Sequence, residues 1–224
     1  MVRHALSPAL RPYALTAGLL YAAIIALGLW SELFVRAALV VPGDAEATAG
    51  NIRDTAMLYR LSMAADVAMV AADVALALCL FALFRGAGEM LAAAATVFRL
   101  IQAAVIAAGL TFSAAGLGQA LSGRAEPALA MIEAHAFAYD LGLVFFGISS
   151  LATAMLLARA GPRVLSALIA AAGLVYLAGS GLRILAPALT DAFAPAYLVA
   201  IVAETAMTIW LLGFAARSPK GNGG

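Results

Sequence analysis

Charge, cysteine and histidine are all scarce in this chain, and each scarcity removes a class of function. Only 11% of the 224 residues are Asp, Glu, Lys or Arg, against about 25% in soluble domains. The formal net charge is +1, and no basic run or aromatic-basic patch occurs, so the electrostatic footprint of a nucleic-acid binder is missing. Cys79 is the single cysteine, which excludes an intramolecular disulfide and a thiolate metal cluster. The two histidines, His4 and His135, are too few for a multi-histidine metal centre. Sequence signatures of a serine nucleophile elbow, an HExxH zinc helix, a P-loop or a dinucleotide-binding turn are absent as well.

What is present is apolar. Hydrophobic residues make up 65% of the chain, more than a water-soluble core of this size can absorb, so the surplus must face lipid. Apolar runs at about Tyr13–Phe34, Ala56–Phe84, Met90–Phe112, Ala134–Ala158, Val164–Leu185 and Phe193–Ala215 each reach the roughly 20 residues that a spanning helix needs. Alanine, leucine and glycine dominate them with little period-two alternation, which favours helices over a β-barrel. The expected fold is an all-α bundle of six spanning helices, one domain over residues 1–217, followed by a disordered tail from Ser218 to Gly224.

The breaks between runs are chemically distinct. Pro42-Gly43 ends the first, and Asp44, Thr48 and Asn51 form a polar loop suited to capping the next helix. Gly86-Ala87-Gly88 makes a tight turn, and Ser113 to Glu126, with three glycines, reads as the longest connection. Gly161-Pro162 separates the fourth and fifth runs, and Pro187 and Pro195 bracket the last outer turn. Arg3, Arg11, Arg85, Arg159, Arg163, Arg217 and Lys220 then fall on one side of the membrane. The other side holds Arg53 and Arg124 in loops and Arg36, Arg60 and Arg183 near helix ends. The asymmetry places both termini in the cytoplasm. The first run continues through Ser31-Glu32 without a small-residue cleavage site, so it reads as a retained helix rather than a signal peptide.

Basic residues at the cytoplasmic ends give each helix a depth scale. Asp73, Arg99 and Glu204 lie 12 to 14 residues from Arg85 or Arg217, roughly 15–20 Å into the bilayer. Tyr176 and Phe146 fall at the same depth. Charge there is expensive, so these residues must face one another rather than lipid. Arg99 is expected to meet one or both acids. The pattern supports either a structural ion-pair network or a proton-binding layer, since two acids face one arginine. Glu32, Asp66, Asp140 and Arg183 lie 19 to 21 residues from their cytoplasmic arginines, roughly 28–32 Å out, at the other hydrocarbon boundary. Glu32 and Arg36 have the i, i+4 order of an ion pair. Asp66 and Asp73, seven apart, share one helix face. Arg60, Glu133 and His135 belong at or above this outer level, and His135 and Tyr139 align at i, i+4.

These layers suggest an outward-facing polar funnel with a closed cytoplasmic floor. In this reading a small polar or cationic ligand meets Glu32, Asp66, Glu133 and Asp140, with Arg36, Arg60 and Arg183 shaping the site. Asp73, Arg99 and Glu204 form a proton-linked floor. Two alternatives stay open: an intramembrane metal-assisted hydrolase acting on lipid, with His135, Glu133 and Asp140 as ligands, and a ligand-free accessory subunit. The expected partner is the lipid bilayer, with a small ligand or a proton; no cofactor is expected, and oligomeric state is not set.

The stretches from Ala17 to Ile52 and from Met131 to Ser150 resemble a bacterial family of multi-pass membrane proteins known only as a domain of unknown function. The resemblance runs from about Pro12 to Pro187. Its most specific parts are Ser31-Glu32-Leu33-Phe34-Val35-Arg36, the Pro42-Gly43-Asp44 turn, and the run from His135 to Gly147. It implies a six-helix protein of the bacterial inner membrane and supplies no activity. Its motifs fall on the outer polar layer, which favours Glu32, Arg36, His135, Tyr139 and Asp140 over Asp73 and Glu204 as functional residues.

Overall fold

The structure, a computed structural model, describes residues 8–160 and 162–216. Arg3, Gly161, Arg217, Lys220 and the tail from Ser218 lie outside the described residues. Seven helices of ten residues or more carry the fold: α1 (Arg11–Leu39), α2 (Ala45–Asp54), α3 (Ala56–Phe84), α4 (Glu89–Leu121), α5 (Ala125–Ala160), α6 (Arg163–Leu185) and α7 (Tyr197–Ala216). All but the short α2 are long and apolar enough to cross a membrane. The chain is a multi-pass membrane protein built entirely of helices among the described residues.

The six spans form a closed ring. α1 packs on α3, α3 on α4, α4 on α5, α5 on α6, α6 on α7, and α7 returns to α1. Small residues set how tightly neighbours approach, because van der Waals packing rather than water drives helices together in lipid. On the α5–α6 seam, a Cβ added at Gly147 or at Gly173 would lie 2.9 Å from the other glycine's carbonyl oxygen. Large apolar side chains such as Leu19, Met90, Val164 and Ile209 point outward, where the bilayer receives them.

Helix ends follow the sequence where its capping chemistry is explicit. The Asp44 carboxylate accepts the Ala47 backbone N–H at 2.9 Å and starts α2. Thr48 and Asn51 then bond back to Val41 and Leu39, so the expected polar loop is a ten-residue helix stitched to the end of α1. α1 itself runs past the expected end through a π-helical segment, Trp30–Arg36. Pro187 to Ala196 forms three short helical turns between α6 and α7.

The stretch from Ser113 to Glu126, expected as the longest connection, is almost wholly helical. Only Ser122–Arg124 turns, with Gly123 at φ +71° supplying the left-handed residue. Gly116 serves packing instead: a Cβ there would meet Ile132 Cγ1 at 2.9 Å. A glycine needed for helix contact and one needed for a turn look alike in sequence. As a result α4 and α5 have 33 and 36 residues, about 50 Å and 54 Å, and their hairpin projects beyond a roughly 30 Å hydrocarbon layer.

Burial divides into two apolar cores. One lies between the spans toward the Arg85–Arg159 end and includes Tyr21, Leu76, Phe84, Leu157, Met207 and Leu211. The other lies under α2 and joins Val35, Ile52, Tyr59, Leu117, Leu129 and Ile132. The charged residues of the interior sit between these cores.

The packing gives a direct test. Replacing Gly173 by alanine should cost about 1–3 kcal/mol through overpacking against the Gly147 carbonyl. Alanine at Gly118, where a Cβ meets nothing within 4 Å, should be neutral or stabilising by up to about 1 kcal/mol. Thermal unfolding of the two purified variants in detergent measures the contrast.

Candidate functional site

The centre of the ring is filled by one side chain from each span. Arg99 on α4 is 5% exposed and meets Asp73 of α3, with both Nε and Nη2 at 2.6 Å from Asp73 Oδ1. Above and beside its guanidinium stand the rings of Tyr21 from α1, 5.2 Å away, and Phe146 from α5, 4.8 Å away. Both contacts are in cation–π range, and they shield the charge from lipid. Phe146 packs edge-on against Tyr176 of α6 with centroids 4.9 Å apart. The Tyr176 hydroxyl donates to Glu204 Oε1 of α7 at 2.5 Å.

The depth scale therefore brings together Asp73, Arg99, Phe146, Tyr176 and Glu204 as expected, with one refinement. Arg99 is paired with Asp73, while Glu204 is bonded by a neutral phenol. Tyr21 went unnoticed in the sequence, although it stands ten residues from Arg11 and the same count would have found it. Its apolar neighbours gave no other signal.

The outer residues divide into separate groups. Arg36 takes two acids: its Nε lies 2.7 Å from Glu32 Oε2 and its Nη1 2.5 Å from Asp66 Oδ2. The π-helical turn widens α1 here, burying Ser31, Val35 and Arg36 while Glu32 stays exposed. Ser31 Oγ donates to the Ser62 carbonyl at 3.1 Å and ties the segment to α3. Asp140 and Arg183 make a second ion pair between α5 and α6. Arg60 and Glu133 are exposed and join neither network.

His135 is buried at 2% exposure. Its Nδ1 donates to the Gly109 carbonyl at 3.1 Å, which fixes the tautomer. The aligned Tyr139 meets it edge-on, ring to ring at 6.5 Å, rather than through a hydrogen bond. Tyr139 lies within electrostatic reach of Glu32, Arg36, Asp66 and Glu204.

One expectation changes. The funnel is packed rather than open: Asp66 is 1% exposed, Arg36 is buried, and the apolar core under α2 lies alongside them. Glu32 and Arg183, with side chains 60% and 41% exposed, are the members that reach the surface. Of the small cavities that touch Arg99, one runs toward Phe84 and Leu156 and the other lies among Tyr21, Thr153, Ile169 and Met207. Nor do His135, Glu133 and Asp140 converge, because His135 points roughly 140–160° around α5 from the face that Glu133 and Asp140 share. Among the described residues no group of three or more His, Cys, Asp or Glu side chains is placed to hold a metal ion.

The sequence pattern of a family described as a domain of unknown function (DUF4386) matches residues 16–214. The chain belongs to the DUF4386 family. That match reaches into all six spans, and both polar layers are part of the DUF4386 domain. No curated protein and no solved structure matches the chain.

The buried pair is the first point of attack. Asp73→Asn strands the Arg99 charge and should destabilise the protein by about 3–5 kcal/mol, whereas the Asp73→Asn/Arg99→Gln double variant should recover part of that loss. Unfolding midpoints in detergent decide it; additive losses would show that the pair does not couple.

Proposed function

We propose that this DUF4386 protein is a proton-linked binding or transport protein of the bacterial inner membrane, with its working centre in the mid-membrane layer. The observation that carries the reading is a charge imbalance: two interior carboxyls, Asp73 and Glu204, share the layer with one guanidinium. Asp73 takes Arg99, and Glu204 is left with the Tyr176 hydroxyl. The layer balances only when a proton sits on one of the carboxyls or a cation beside them, because an isolated charge at this depth is costly. Cavities of water size around Arg99 favour the proton.

Glu204 is the proton-exchanging group in this reading, and Tyr176 holds its carboxyl in place. Tyr139 links it electrostatically to the outer network of Glu32, Arg36 and Asp66, whose exposed member, Glu32, meets the aqueous phase. Arg11, Arg85, Arg159 and Arg163 support a cytoplasmic placement for the opposite ends of the spans. The ligand accompanying the proton is small and polar, in keeping with the water-sized cavities beside Arg99.

Infrared titration of the purified protein in lipid tests the proposal. A carboxylic C=O band that titrates with pH and disappears in Glu204→Gln is the expected result; a spectrum unchanged by the substitution would overturn it. For orientation, a green fluorescent protein fused after Gly224 should fluoresce and an alkaline phosphatase at the same point should stay inactive. The reverse pattern would place the C-terminus outside.

A further inference from the structure

Two cavities meet at Arg99, and both lie toward the Arg85–Arg159 end of the spans. The first is axial and touched by all six spans. Its polar lining is Tyr21, Arg99, Ser150 and Thr153, with Leu80, Ile169 and Met207 completing the wall. Leu80 and Thr153 lie seven residues nearer the Arg85–Arg159 end than Asp73 and Phe146, and Met207 three nearer than Glu204. The second cavity shares Leu80, Arg99 and Thr153 with the first and continues past Thr96 and Ser149 to Phe84, Ala92 and Leu156. Phe84 adjoins Arg85, and Leu156 is three residues from Arg159. Together the cavities reach from the mid-membrane layer to within one helical turn of the boundary that those arginines mark.

Each has a volume of about 10 Å³, room for one water molecule and little else. A buried water needs about two to four polar partners, and both cavities supply them. In the second, Thr96 and Ser149 already donate to the carbonyls of Ala92 and Ala95, which leaves their lone pairs free to accept. Ser150 and Thr153 are 7% and 8% exposed, and their hydroxyls have no protein hydrogen-bond partner among the described residues. Leaving a buried hydroxyl unpaired is costly, and water in the cavities removes that cost.

We propose that the two cavities hold water and form a half-channel that carries protons between Glu204 and the Arg85–Arg159 face, with Thr153 as the hydroxyl that joins its parts. The proposal rests on the proton-linked reading and deepens it, naming the side from which the proton arrives and the groups that pass it. Tyr21 closes the inner end: it lines the axial cavity and stands within electrostatic reach of Glu204. At each hop an oxygen gives up one proton and takes another from the neighbour behind it. One O–H bond breaks as one forms, so Thr153 and Tyr21 end as they began, and the net change is a proton gained by the Glu204 carboxylate.

Charge favours this route. Arg99 alone would repel an entering proton, but Asp73 neutralises it at 2.6 Å. With Glu204 ionised, two carboxylates face one guanidinium, and the surplus negative charge draws the proton inward. The titratable groups facing Glu204 are Tyr21 on α1, Asp73 on α3, Arg99 on α4, Tyr139 on α5 and Tyr176 on α6. None of them adds a second cation. Toward the opposite face the interior is filled by the buried Arg36–Asp66 pair and the core under α2.

The test uses the full chain with a C-terminal tag, in vesicles captured through that tag so that the Arg85–Arg159 face meets the bath. Time-resolved infrared spectroscopy follows the Glu204 carboxyl band after a pH jump on either side. The band should respond faster to the bath than to the lumen. Thr153→Val and Tyr21→Phe should each slow that response roughly tenfold or more. The titration midpoint should stay in place, because Glu204, Tyr176 and the Arg99–Asp73 pair remain and phenylalanine keeps a ring over Arg99. Thr153→Ser keeps the hydroxyl and should keep the rate. A band that follows the lumen first, or rates untouched by both Thr153→Val and Tyr21→Phe, would overturn the half-channel and leave the proton-linked reading standing. So would a Thr153→Ser variant as slow as Thr153→Val, which would make Thr153 a packing residue. A Glu204 band that does not titrate discards both.

Discussion

The ion pair between Arg99 and Asp73 is the contact on which the rest of the interior depends. A guanidinium in the middle of a bilayer cannot be left to lipid, and six helices arranged in a ring leave an axial space that small residues cannot fill. One arginine answers both constraints. It is long enough to reach the axis, its charge is met at 2.6 Å by the helix beside it, and its faces are covered by Tyr21 and Phe146. The remaining helices then supply Tyr176 and Glu204, so every span has a stake in one layer. Desolvation makes such a pair weak evidence for net stability. It does fix which helix faces inward, and that sets the register of the ring.

The same logic recurs outside, with different weight. Arg36 is held between Glu32 and Asp66, and Arg183 by Asp140. Near the hydrocarbon boundary charge costs less, and here two members of the network reach the surface. What makes the outer site specific is backbone rather than charge: a wide turn over Trp30–Arg36 rotates Ser31 and Arg36 inward and leaves Glu32 outside. Wide turns of this kind concentrate at functional sites in helices, and this one lies within the region matched by the family.

Much of this was legible in the chain before folding. Runs of twenty or more apolar residues dictate spanning helices, and arginines at their ends calibrate depth well enough to place Asp73, Arg99, Phe146, Tyr176 and Glu204 in one layer. The i, i+4 order of Glu32 and Arg36 anticipated their bond. Partner choice was another matter. Nothing in the spacing distinguishes an Arg99 shared between two acids from one paired with Asp73 alone. His135 and Tyr139 have hydrogen-bonding geometry on a helical wheel, yet the close approach permitted by Gly109 gives His135 a backbone carbonyl on α4 instead.

By itself the sequence determined that the protein lies in a membrane, how many times it can cross, and which of its charges share a level along the spans, because hydrophobic length and the 1.5 Å helical rise are local properties. Only the tertiary structure decided the order of helices around the ring, the packed rather than open outer half, and the cavities on the far side of Arg99. It also turned Gly116 from an expected loop residue into a helix contact. Those outcomes depend on how closely neighbouring backbones approach, and that distance is set jointly by residues from separate helices.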